Sequence, residues 1–75
     1  MKSDIEFYIV QKVKEHRERL DISQEEIADH LKVSQSFIHK IENPKFNNAY
    51  NFDHINAIAK LFRCSLWELI PQYPL

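Results

Sequence analysis

The sequence of 75 residues contains no glycine, one cysteine and three prolines. The lack of glycine excludes a glycine-rich phosphate-binding loop. A single cysteine excludes an internal disulfide framework and a thiolate metal site, and it is typical of a protein of the reducing cytoplasm. All three prolines follow Asn43, so no proline interrupts a helix in the first half of the chain.

Long apolar runs and strand patterns are also absent. No apolar stretch approaches the ~20 residues that a membrane-spanning helix needs, and the start MKSDIEF lacks the apolar segment of a signal peptide. The length corresponds to one domain, residues 1–75, and 44% apolar residues suffice for a small helical core. We therefore expect an all-α, cytoplasmic, single-domain protein that does not associate with membranes.

The candidates for a catalytic or metal-binding pattern are the four histidines, His16, His30, His39 and His54. Their positions lack the spacing of a metal site. Glu26 lies four residues before His30, which is more simply explained as a surface side-chain pair on one helix face. No nucleophile–base pair is indicated, so we expect no enzyme activity, no cofactor and no metal.

The charge is distributed unevenly along the chain. Residues 1–31 hold five Lys/Arg and eight Asp/Glu (net −3), whereas residues 32–63 hold five Lys/Arg and two Asp/Glu (net +3); Glu68 brings the total to −1. A nucleic-acid footprint depends on a local patch rather than on the total charge. Charge alone leaves two interpretations open, a basic binding patch or ordinary solvated lysines.

The most informative stretch is SQEEIADHLKVSQSFIHKIE, residues 23–42. Ser23 with Glu26 forms the pattern of a capping box, which predicts a helix over Gln24–Leu31. Ser34 caps a second helix over Gln35–Glu42 after a tight turn.

Helical spacing divides the second of these helices into two faces. Ile38 and Ile41 are three residues apart and face inward. The remaining polar positions then face outward, and these are Gln35, Ser36, His39 and Lys40.

This arrangement resembles the helix-turn-helix of the phage-repressor and Cro-like (XRE) family. The matching residues are Gln24, Ile27, Ala28, Leu31, Val33, Ile38, Ile41 and Glu42. The resemblance extends to Val13, Arg17 and Leu20 and to residues 52–69. Lys32 stands where the family usually has glycine, and a left-handed conformation costs a non-glycine residue about 1 kcal/mol.

The resemblance implies a compact five-helix, lambda-repressor-like fold. The first helix is predicted to start after a Ser3–Glu6 capping box, with an apolar stripe that includes Ile5 and Leu20. A proline-containing loop follows the motif, and Ser65 with Glu68 predicts the cap of the last helix. The remaining predicted elements are helices Asp4–Leu20, Phe52–Phe62 and Leu66–Ile70, the loop Asn43–Tyr50 and a tail over residues 71–75.

Arg17 falls on the apolar stripe of the first helix, where an unpaired buried charge would be expensive. The resemblance implies Glu42 as its partner. We therefore expect an Arg17–Glu42 ion pair that ties the first helix to the second helix of the motif. The alternative is that both side chains are exposed and independent.

The family's function implies sequence-specific binding of double-stranded DNA by a repressor-like transcriptional regulator, with the helix Gln35–Glu42 in the major groove. Gln35 suits adenine, Lys40 suits guanine and Ser36 suits either type of base. The full set of candidate base-reading residues is Gln35, Ser36, Lys40, Ser34 and His39. The candidate phosphate-binding residues are Gln24, Asn43, Lys45 and Asn47.

Alternatives remain for several features. Phe37 can contact a thymine methyl group or pack at the core edge, and Phe46 and Tyr50 can pin the loop to the core. The resemblance implies a homodimer, whose candidate contacts Leu66, Trp67, Ile70 and Tyr73 can instead be core residues. The rival function is a protein-interaction module on the same fold, such as an antitoxin or a regulatory subunit.

Overall fold

The computed structural model describes residues 1–75 and consists of helices with no strand. The four α-helices are α1 (Asp4–Arg19), α2 (Gln24–Leu31), α3 (Gln35–Glu42) and α4 (Phe52–Phe62), and one 3-10 turn follows at Leu66–Glu68. The all-α class is confirmed. No helix is long and apolar enough to cross a membrane.

Local hydrogen bonds set the helix starts. The Ser3 hydroxyl accepts from the Glu6 N–H at the start of α1, and the Glu6 carboxylate accepts from the Ser3 N–H. Ser23 and Glu26 repeat this capping box at α2. At α4, the amide oxygen of Asn51 caps the first turn. These bonds satisfy backbone donors that have no partner inside the helix.

Two helices end in the left-handed conformation without glycine. Lys32 after α2 has φ 59°, and Arg63 after α4 has φ 55°. The conformation lets the Val33 N–H reach the Ala28 carbonyl oxygen at 3.0 Å, which satisfies a carbonyl at the end of α2. The turn therefore keeps the shape that glycine usually permits, although Lys32 is strained.

One apolar core joins all four helices. The largest side chains without solvent exposure are Ile27, Ile38, Ile41, Ile58, Leu69 and Val13. Ala28 is 2% exposed on α2, which packs against α3 and α4. Its methyl group leaves room for the close approach of α2 to its neighbours.

The predicted end of the first helix is wrong by one residue. The first helix ends at Arg19 rather than Leu20, because Asp21 adopts φ 58° and turns the chain away. Leu20 is consequently 45% exposed, and Ile5 at the other end of the predicted stripe is 44% exposed. Leu20 is the C-cap residue of α1, and Ile5 lies in the first turn of this helix.

The fifth predicted helix, Leu66–Ile70, is a single 3-10 turn at Leu66–Glu68. Pro71 supplies no N–H for a further helical hydrogen bond, and its ring disfavours helical geometry at Ile70. Leu69 is fully buried, so this short segment is anchored to the core by packing rather than by helix length.

Candidate nucleic-acid interface

The exposed face of α3 is the one that helical spacing predicts. Ile38 and Ile41 are fully buried, while the polar side chains on the other side of α3 face solvent. These exposed residues are Gln35, Ser36, His39 and Lys40.

The start of α3 is fixed by its cap. The Ser34 hydroxyl oxygen accepts a hydrogen bond from the Phe37 N–H at 3.1 Å. Its O–H remains a donor that can meet an external acceptor. Gln35 and Ser36 lie in the first turn of α3, the part of a recognition helix that contacts base edges in helix-turn-helix proteins.

A buried ion pair holds the other end of α3. The Nε of Arg17 donates to Oε2 of Glu42 at 2.9 Å, and Nη2 donates to Oε1 at 3.0 Å. Arg17 also donates to the carbonyl oxygen of Ile22 at 2.9 Å. Only 12% of the Arg17 side chain and 5% of the Glu42 side chain are exposed. Burial by itself lowers the pKa of Arg17, but the hydrogen bonds and charge of Glu42 outweigh it, so the pKa is raised.

Gln24 belongs to the same network. Its Nε2 donates to Oε1 of Glu42 at 3.0 Å, which fixes the side chain at the start of α2. One of its two amide hydrogens is therefore bound within the chain, and the second is left for an external acceptor. Spacing of 18 residues between Gln24 and Glu42 gives no local sequence signal for this contact.

Tyr50 packs beside this network. Its ring is buried, and its hydroxyl has no hydrogen-bond partner. Burial raises the pKa of the Tyr50 hydroxyl, and the nearby charge of Glu42 raises it further. Of the two aromatic residues predicted to pin the loop, Tyr50 is in the core and Phe46 is 38% exposed.

The loop after α3 is held by its own turn and by the chain start. Oδ1 of Asn43 accepts from the Lys45 N–H at 2.9 Å. The Nζ of Lys2 donates to the carbonyl oxygens of Asn43 at 3.0 Å and Phe46 at 2.8 Å. The amino group of Met1 donates to Oδ1 of Asn47. Sequence reasoning missed the contacts of Met1 and Lys2, because more than forty residues separate these residues from their partners and no local pattern connects them.

An aromatic contact links this loop to α3. The Nζ of Lys40 lies 5.9 Å from the centre of the Phe46 ring, within the range of a cation–π interaction. Three lysines therefore gather around Phe46: Lys2 on its carbonyl, Lys40 over its ring and Lys45 beside it in the chain.

Phe37 lies at the edge of the core. It is partly buried against the core cluster, and its ring meets that of His54 edge-on at 5.9 Å. These contacts favour edge-of-core packing over contact with a thymine methyl group.

The Arg17–Glu42 ion pair affects the charge of the surface around α3. Glu42, one of two acidic residues among residues 32–63, is neutralised by Arg17. Asp53 is then the one acidic residue in that segment that still opposes its five Lys/Arg. Lys40 on α3, Lys45 in the following loop and Lys2 against the same loop are the lysines beside the exposed polar face of α3.

The C-terminal end exposes apolar side chains. Trp67 is 75% exposed, Tyr73 is 74% exposed and Leu66 is 42% exposed. Ile70 packs against the core cluster. Core packing therefore accounts for Ile70 among the four candidate dimer contacts and leaves the other three exposed to solvent.

Residues 10–73 match the family model described as a helix-turn-helix domain. No curated protein matches the chain. The matched range contains α2, α3, the loop and the exposed face described above.

Proposed function

The chain belongs to the helix-turn-helix domain family, of the XRE/Cro-like type, and from this premise we propose that it binds double-stranded DNA sequence-specifically as a repressor-like transcriptional regulator. In this proposal α3 enters the major groove and the loop after it lies along the phosphate backbone.

The observation that carries the proposal is the pairing of two features on one surface. An exposed polar helix face can read bases, and Lys45 in the adjacent loop can bind a phosphate. The buried Arg17–Glu42 pair fixes α3 relative to α1, which presents both features in one orientation.

Each exposed side chain of α3 has a chemically suitable target. The Gln35 amide can bond the N6 and N7 groups of adenine, and the Lys40 ammonium suits the O6 and N7 acceptors of guanine. Ser36 can bond either type of base, and Ser34 and His39 lie beside the three. The proposed phosphate contacts are Gln24, Asn43, Lys45 and Asn47.

The protein is proposed to bind as a homodimer on a pseudo-palindromic site. The exposed apolar side chains at the C-terminal end, Leu66, Trp67 and Tyr73, supply the contact surface. Two-fold symmetry would place the two copies of α3 about 34 Å apart, one turn of DNA, as half-sites in successive major grooves require.

The decisive experiment first selects bound fragments from a random pool of duplex DNA. On the selected site, Gln35→Ala should weaken binding by about 1–3 kcal/mol and leave the salt dependence unchanged, because a neutral amide reads a base edge. Lys45→Ala should weaken binding to all sequences alike and reduce the salt slope by about one counterion, because an ammonium on a phosphate carries no sequence information.

Lys60→Ala is the matched control, since Lys60 is exposed on α4 and its loss changes the net charge equally. Selection that yields no shared motif would refute sequence-specific binding. If Gln35→Ala and Lys45→Ala leave DNA binding intact and abolish binding to a protein partner, α3 is an interaction surface and the rival function holds.

A further inference from the structure

The first residues of the chain bind the loop that follows α3. Lys2 places its ammonium between the carbonyl oxygens of Asn43 and Phe46, at 3.0 Å and 2.8 Å. Met1 and Lys2 precede the range 10–73 that matches the helix-turn-helix family. The family assignment therefore gives them no role.

The two carbonyls are the ends of one turn. The Phe46 N–H bonds back to the carbonyl oxygen of Asn43 at 3.1 Å, and Lys2 bridges the carbonyls of these same two residues. Asn43 is also the C-cap of α3, where the helix dipole favours a positive charge. Burial lowers the pKa of Lys2, and the nearby carboxylate of Glu6 opposes this effect.

This turn positions two of the proposed DNA-binding groups, Lys45 and Lys40. Lys45 lies inside it, with its N–H on Oδ1 of Asn43. The Nζ of Lys40 lies 5.9 Å from the centre of the Phe46 ring. A change in the turn would therefore move a phosphate-binding lysine and a base-reading lysine together.

We propose that Lys2 is a positioning residue of the DNA-binding surface, which locks the Asn43–Phe46 turn and thereby places Lys45 and Lys40 for contact with DNA. The proposal rests on the proposed function. Alternatively, the Lys2 ammonium contacts a phosphate directly. The two roles differ in whether the effect of replacing Lys2 on DNA affinity depends on the lysines that the turn places.

The first test uses the free protein, without DNA. Lys2→Met should speed hydrogen exchange of the Lys45 and Phe46 amides several-fold, because their turn loses its bridge. Lys2→Arg, which retains donors for both carbonyls, should restore slow exchange. Lys60→Met is the control for loss of one positive charge and should leave both amides unchanged. Unchanged exchange in Lys2→Met would overturn the proposal.

The second test measures the affinity for the selected DNA site. Lys2→Met should weaken binding about 5- to 10-fold in the otherwise unchanged chain, and less than about 2-fold when Lys40 and Lys45 are both replaced by Ala, because residues that act through one another are not additive. Lys2→Arg should restore most of the affinity. Circular dichroism and thermal unfolding of each variant verify that the fold is retained.

The outcomes separate this proposal from the proposed function. If the unchanged chain binds no DNA, the proposed function fails and the proposal fails with it. If the unchanged chain binds and the loss from Lys2→Met persists in full when Lys40 and Lys45 are both replaced by Ala, with a salt slope lower by about one counterion, Lys2 contacts a phosphate itself and the positioning role is wrong.

Discussion

At the scale of single residues, the network around Glu42 contains buried polar groups with and without hydrogen-bond partners. Glu42 accepts from Arg17 and Gln24, so its buried charge is compensated. The hydroxyl of the neighbouring Tyr50 is buried without a partner. A buried hydroxyl that lacks a hydrogen bond is destabilising. Removal of the Tyr50 hydroxyl therefore tests how much this group affects the free energy of unfolding.

Tyr50→Phe should leave the free energy of unfolding at neutral pH unchanged or raise it by up to about 1 kcal/mol, because no hydrogen bond is lost. The pKa of this hydroxyl in the folded chain lies above its ordinary value of 10.0, so the unfolded chain ionises first. The contribution of the protonated Tyr50 hydroxyl to the free energy of unfolding is therefore present below pH 10 and is lost as pH rises above it. Tyr50→Phe should therefore lose less stability above pH 10.

Urea unfolding of both proteins between pH 7 and pH 11 measures this difference. Tyr73→Phe is the matched control, because Tyr73 is 74% exposed, and it should follow the unchanged protein. A loss of more than about 1 kcal/mol at neutral pH in Tyr50→Phe would show that the hydroxyl has a partner in solution.

At the scale of elements, the motif depends on a turn that its sequence does not favour. Lys32 takes the left-handed conformation at φ 59°, which costs a residue with a side chain about 1 kcal/mol. Ile27 and Ala28 on α2 are buried, and the packing of α2 against α3 keeps the turn in this shape. Tertiary contacts thus outweigh a local preference.

Lys32→Gly should stabilise the chain by up to about 1 kcal/mol, because glycine adopts this conformation without strain; its greater flexibility in the unfolded chain offsets part of the gain. Lys60→Gly is the opposing control. Lys60 lies within α4, so glycine there should destabilise by about 1 kcal/mol. Thermal unfolding of both variants tests this, and destabilisation by Lys32→Gly would mean that the lysine side chain makes a contact that offsets the strain.

At the scale of the whole molecule, a chain of 75 residues buries a limited fraction of its surface. Its C-terminal end leaves Trp67 and Tyr73 exposed, beside a 3-10 turn that is anchored through Leu69. Burial of such side chains in a second copy would add apolar area to a small core. This end is therefore the proposed site of self-association.

Sedimentation should show a weak monomer–dimer equilibrium, and Trp67→Ser should shift it toward monomer because the interface loses its largest apolar side chain. Phe52→Ser is the matched control. Phe52 is 83% exposed at the start of α4, about 15 Å along the helix from its C-terminal end. Monomer alone at high concentration, with and without DNA, would refute the dimer.

The sequence by itself determined the features that depend on residues within one helical turn. The capping box of Ser23 with Glu26 spans three positions, and helical spacing separates the buried Ile38 and Ile41 from the polar face of α3. Such contacts follow from helix geometry once the residues are known. The Arg17–Glu42 pair spans 25 residues, and it was expected from resemblance to a family rather than from local pattern.

Only the tertiary structure decided the contacts between distant segments. The bridge from Lys2 to Asn43 spans 41 residues, and the bond from Gln24 to Glu42 spans 18. The solvent exposure of Leu20 likewise depends on how the other elements pack around α1. No residue spacing encodes these distances, because they arise when the helices pack around one core and bring their ends together.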